Sequence, residues 1–157
     1  MRVLAFDTAT ARTAVALCEI GTGALDGGVG ALDLSAVDDP PVGGRPGHAQ
    51  RLLSLIDGLL RRGGVGWADV DRIAVGVGPG TFTGLRIGIA IAQALAAATG
   101  LPLVGVSTLR ALALAAYDSE PARATLAVLD ARRGEAFLAG WAAGQDPSSA
   151  KPALPAR

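Results

Sequence analysis

Two short stretches carry residue types that could do chemistry. Asp7-Thr8-Ala9-Thr10 sets a carboxylate beside two hydroxyls at the end of an apolar run. That combination can hold a hydrated Mg²⁺ and a phosphate, so Asp7, Thr8 and Thr10 are phosphate-loop candidates, and an ATPase or small-molecule kinase is one functional reading. The competing reading is a hairpin loop whose Asp and Thr side chains satisfy its own backbone. Gly76-Val77-Gly78-Pro79-Gly80, between an apolar run and a helical pattern, has the look of a turn aiming N–H groups at an anion. It lacks the P-loop spacing and lysine, however, and Pro79 has no N–H to give; it reads as a tight structural turn.

Other reactive types stand alone. His48 is the only histidine, with Leu52 one helical turn on and no second His or Cys to complete a zinc set. A helix-start or interface role suits it better. Cys18, the only cysteine, sits in an apolar strand and reads as a small buried hydrophobe. Asp130, Arg132, Arg133 and Glu135 read as solvated charges at a hairpin tip. No acid, base and nucleophile come together, so no catalytic residue and no metal ligand is assigned.

The elements that must position these residues follow from periodicity. Val3 to Phe6 and Thr13 to Cys18 form a hairpin around the Asp7 loop, and Gly21 to Asp33 permits a third strand. The Pro- and Gly-rich stretch from Asp38 to Gly47 is a surface loop. His48 to Arg62 is a helix by the spacing of Leu52, Leu55, Ile56, Leu59 and Leu60, closed by Gly63-Gly64. Arg72 to Val77 is a buried strand, Phe82 to Thr99 a long helix, Leu103 to Val106 a strand, and Thr108 to Tyr117 a helix capped by Ser107. Thr125 to Asp130 and Glu135 to Trp141 make a second hairpin. A meander feeding strand-helix-strand units gives an α/β fold with a mixed sheet flanked by helices.

The long helix is unusual. Gly84, Gly88, Ala92 and Ala96 fall at i, i+4 positions and form a ridge almost without side chains. Such a ridge admits a close neighbour, and its expected neighbour is a second polypeptide, with Leu52 and Ile56 nearby: the expected partner interface is Gly84, Gly88, Ala92, Leu52 and Ile56. Arg86 and Gln93 interrupt the apolar run and argue against a membrane span.

Lys+Arg and Asp+Glu are both 14, and no basic run exceeds a pair, which argues against a chain that grips nucleic acid alone. The apolar run after Met1-Arg2 stops at Asp7, too short for a signal peptide, so a cytoplasmic location is expected. Residues 1–118 are read as a first half, 119–141 as the start of a second, and the Pro-rich 142–157 as a disordered tail.

Several segments in order resemble one known family: Leu4-Ala5-Phe6-Asp7-Thr8-Ala9-Thr10, His48-Ala49-Gln50, Gly78-Pro79-Gly80-Thr81-Phe82-Thr83-Gly84-Leu85-Arg86-Ile87-Gly88, Gly105-Val106-Ser107-Thr108-Leu109 and Asp130-Ala131-Arg132-Arg133-Gly134-Glu135. They are similar to the TsaB (YeaZ) family of the bacterial machinery that makes N6-threonylcarbamoyladenosine in tRNA. The resemblance implies an actin-like, Hsp70-like ATPase fold of two ribonuclease H-like halves, the first complete here and the second truncated. It implies a noncatalytic subunit without a cofactor of its own. Its partners would be TsaD, the homologous transferase that modifies the adenosine beside the anticodon, and the ATPase TsaE, with ATP and Mg²⁺ used by those subunits. Homodimers are expected when the partner is absent, and tRNA contact only through the complex. TsaD-like proteins carry a metal-binding HxxxH, where this chain has His48 and Leu52. Pairing in the family uses first-half helices.

Overall fold

The computed structural model describes residues 1–21, 29–41, 44–132 and 134–153. Expectations falling on 22–28, 42–43, Arg133 and 154–157 lie outside the described residues. Strands β1 (Arg2–Asp7), β2 (Thr13–Ile20) and β3 (Val29–Asp38) form an antiparallel meander. Helix α1 (His48–Gly63) and one 3-10 turn (Trp67–Asp69) then lead into β4 (Arg72–Gly76), α2 (Phe82–Thr99), β5 (Leu103–Val106) and α3 (Thr108–Ser119). Strands β4 and β5 run parallel to β1, and the sheet order is β3-β2-β1-β4-β5. Three antiparallel strands continued by two parallel ones give the mixed sheet flanked by helices that the residue pattern indicated.

Alternation along the strands decides where the core sits. Leu4 and Phe6 of β1, Val15 and Leu17 of β2, and Ile73 and Val75 of β4 point to one face. There they meet Leu52, Ile56, Leu59 and Leu60 of α1 and Ala92 of α2. The alternate residues Ala5, Ala14, Ala16 and Ala74 floor the opposite face, an apolar cavity of about 270 Å³.

Strands β6 (Thr125–Arg132) and β7 (Glu135–Trp141) pair as a separate antiparallel hairpin. It builds a second small core with α3, from Leu109, Ala113, Ala127, Ala139 and Trp141. Within residues 142–153 the Pro-rich segment differs from the free tail that composition suggested. Pro147 is fully buried, Arg110 donates to the carbonyls of Pro147 (2.6 Å) and Ser148 (2.9 Å), and Trp141 Nε1 donates to the Ala150 carbonyl. A guanidinium and an indole supply the partners that a proline-rich backbone cannot provide for itself. The third strand runs on past the Asp33 where its residue pattern ended, because β3 follows its antiparallel register with β2 as far as the Thr13–Asp38 pair.

Candidate functional site

The loop between β1 and β2 touches all three helices. Asp7 Oδ1 accepts from the Ala9 N–H at 2.6 Å, and Oδ2 from the Thr108 hydroxyl at the start of α3 at 2.7 Å. The Thr8 hydroxyl, buried, donates to the Gly84 carbonyl in the first turn of α2 at 2.8 Å. Thr81, the residue that opens α2, donates its N–H to the Ala9 carbonyl at 2.7 Å. Thr13 bonds His48 Nδ1, the first side chain of α1, at 2.7 Å. Thr10 accepts from the Arg12 N–H at 3.2 Å.

Of the three phosphate-loop candidates, Asp7 and Thr8 are therefore engaged with the protein itself. A cation or phosphate at either would have to displace a bond that seats a helix, and the carboxylate lies directly over Gly76, where a Cβ would overlap it. Thr10 faces a separate cleft of about 190 Å³ shared with Thr81, Asp130 and Arg132. Among the described residues, no three His, Cys, Asp or Glu side chains group as metal ligands.

His48 is buried, and among the described residues its Nε2 has no hydrogen-bond partner within ordinary geometry. Burial pushes its pKa below the ordinary 6.5, partly opposed by the Thr10 backbone, Asp38 and Asp7. Cys18 is half-buried, and desolvation together with Asp33 raises its thiol pKa, which disfavours the thiolate.

The glycine ridge faces inward, contrary to the expected interface. Gly84 and Gly88 are buried because α2 lies directly on Thr8: a Cβ at Gly84 would overlap the Thr8 carbonyl oxygen, and one at Gly88 the Thr8 hydroxyl. Ala92 is fully buried in the main core, as are Leu52 and Ile56. None of the five is available to a second polypeptide. The close neighbour that the small residues admit is Thr8, in the loop that follows β1 of the same chain and 76 residues from Gly84.

What α2 turns outward is a different row. Phe82 is 73% exposed, Arg86 lies over its ring with the guanidinium carbon 5.1 Å from the centroid, and Ala90 and Ala94 continue the row, both exposed. Phe82, Thr83, Arg86, Ile87 and Ala90 line a shallow cavity of about 370 Å³. Leu53 of α1 is 50% exposed. The sequence signal for this row was the i, i+4 series Phe82, Arg86, Ala90, Ala94, with a large aromatic at its head.

A family model described as TsaD, tRNA N6-adenosine threonylcarbamoyltransferase, matches residues 41–144. The tRNA threonylcarbamoyladenosine biosynthesis protein TsaB of Escherichia coli is 41% identical over 142 residues, 90% of this chain and 55% of that protein. The protein of the same name from Haemophilus influenzae is 43% identical over 91 residues, 58% of this chain and 39% of that one. The chain belongs to this family, as a TsaB (YeaZ) relative. The solved structure of YeaZ from Pseudomonas aeruginosa superposes with a TM-score of 0.74 at 37% identity, covering 92% of this chain and 61% of that one. The chain spans about half the length of the E. coli relative and less of the other.

Proposed function

We propose that this chain acts in tRNA threonylcarbamoyladenosine biosynthesis as a noncatalytic subunit, and that it docks the outward faces of α1 and α2 against a homologous, TsaD-type catalytic subunit. The observation that carries this is the Phe82–Arg86–Ala90–Ala94 row. A mostly exposed phenylalanine at the head of an otherwise small-residue helix face is the kind of aromatic anchor, with a neighbouring arginine, around which interface energy concentrates. The engagement of Asp7 and Thr8 in seating helices supports a scaffolding role over nucleotide chemistry.

In this reading the catalytic groups, ATP and Mg²⁺ belong to the partner and to a TsaE-type ATPase, tRNA is met through the assembly in the cytoplasm, and two copies pair through the same face when the partner is missing. The test is co-purification of the chain with a TsaD-type subunit, followed by a tRNA modification assay with and without it. Stimulation that depends on complex formation supports the reading. Tight ATP–Mg²⁺ binding with turnover by the chain alone, in an assay that also follows an Asp7→Asn variant, would replace it with the ATPase or kinase reading.

A further inference from the structure

The face of the main sheet turned away from α1 and α2 is crossed by a row of small side chains. The strand registers pair Ser35 with Ala16, Ala16 with Ala5, Ala5 with Ala74 and Ala74 with Val104, so these residues form one straight line over all five strands. Alternation turns the line to that face, since the strand neighbours Leu4, Phe6, Val15, Leu17, Ile73 and Val75 belong to the main core on the other. Ser35, Ala16, Ala5 and Ala74 line the apolar cavity of about 270 Å³. The surface rises at its ends: Val104 is 37% exposed on β5, and Val37, two residues along β3 from Ser35, is 55% exposed. Among the described residues no helix covers the row, because α1 and α2 pack on the other face and α3 packs on the second hairpin.

Length, depth and charge say what fits there. Four strand spacings of about 4.8 Å make the row about 19 Å long, which an α-helix covers in about 13 residues. A floor of methyl groups leaves depth for leucine or aromatic side chains, which close packing requires. The adjacent row on the same face runs Asp33, Cys18, Val3, Arg72 across β3, β2, β1 and β4, with a carboxylate toward one end and a guanidinium toward the other. That polarity suits the dipole of a helix whose N-terminus lies over β3. A strip of about 19 by 10 Å is far below the roughly 800 Å² per partner of a stable pair of folded proteins. A second copy is further hindered by α3 at one rim, where Thr108 bonds Asp7 and Ala111 lines the cavity.

We propose that this row seats one amphipathic helix of a partner polypeptide, large apolar side chains downward, N-terminus over β3 and C-terminus over β5. The seat is on the opposite face of the sheet from α1 and α2 and is independent of the docking proposed above.

Cys18, the only cysteine, lies half-buried in the adjacent row and reports on occupancy. The probe is a synthetic helical peptide of about 14 residues with Leu and Phe on one face and Gln and Ser on the other, beside a scrambled peptide of the same composition. Saturating peptide should slow alkylation of Cys18 by about fivefold or more and shift the methyl resonances of Ala5, Ala16 and Ala74, while the scrambled peptide does neither. Ala16→Leu, which fills the row, should weaken binding about tenfold. A spin label on the peptide N-terminus should broaden the amides of Ser35 and Val37, and the exposed pair Asp33→Lys, Arg72→Glu should move that broadening to β5. Peptide that perturbs only the Phe82 face, leaves Cys18 as reactive as before, or binds without a preferred direction overturns the proposal. Cys18 protection that rises with the chain's own concentration, without peptide, assigns the face to a second copy and also overturns it.

Discussion

Gly84→Ala isolates the inward seating of α2 with one methyl group. A Cβ there overlaps the Thr8 carbonyl oxygen and stands 2.6 Å from Thr81 Oγ1, where ordinary contact begins at 3.4 Å. The first obstacle is backbone in the helix-seating loop, so α2 must lift from Thr8. Overpacking of this kind costs about 1–3 kcal/mol, and stretching the Thr8–Gly84 hydrogen bond about 1 kcal/mol more. Replacing a helical glycine by alanine returns about 1 kcal/mol, leaving a net loss of about 2 kcal/mol, or a fall in Tm of roughly 4–8 °C for a chain of this size. Gly58→Ala in α1 is the matched control. A Cβ at Gly58 meets nothing within 4 Å, so the same substitution should stabilise by about 0.5–1 kcal/mol. Thermal and urea melts of the two variants beside wild type give the comparison. A Gly84→Ala chain as stable as wild type would refute the inward ridge. So would a Gly88→Leu chain that folded normally and lost only its partner.

Thr8→Val keeps the shape and removes the hydroxyl that donates to the Gly84 carbonyl; urea denaturation should show a loss of about 1 kcal/mol. Arg110→Ala removes both guanidinium bonds to Pro147 and Ser148, and limited proteolysis should then cut after Ala142 while the five-stranded half stays intact. Trp141→Phe removes the Nε1 bond to Ala150 and part of the second core, and exchange should rise across β6 and β7 without change in α1. Arg86→Glu with Ala90→Arg alters only exposed positions; melts should match wild type while binding to a TsaD-type subunit falls at least tenfold, as for loss of a central interface anchor worth more than about 1.4 kcal/mol.

Much of the fold was legible because its signals are local. Leu52, Ile56, Leu59 and Leu60 at helical spacing are the core side of α1, Gly64 closes that helix in the left-handed conformation that glycine favours, and Ser107 caps α3 as its position suggested. The direction of the α2 ridge was not legible. A stripe of small residues states that something comes close, but its neighbour here is Thr8, 76 positions earlier, and no spacing rule links the two. Residues 147–150 escape the composition for a similar reason: it argues disorder, while the anchors Arg110 and Trp141 belong to other elements. At the Asp7 loop the residue types fit both a phosphate loop and a loop that satisfies its own chain, and no spacing in the sequence shows Asp7, Thr8 and Thr13 bonded to Thr108, Gly84 and His48. The Phe82 row was within reach, since an aromatic side chain opening a helix of glycines and alanines is visible in the sequence.

The central claim is that this chain serves tRNA modification through the outward faces of α1 and α2. Measuring threonylcarbamoyladenosine formation by a purified TsaD-type and TsaE-type pair, with wild-type chain or the Arg86→Glu, Ala90→Arg variant added, addresses it most directly. Wild-type chain should restore modification and the folded variant should not, in proportion to lost binding. Equal restoration by both, or modification that proceeds as fast with no chain added, would contradict it.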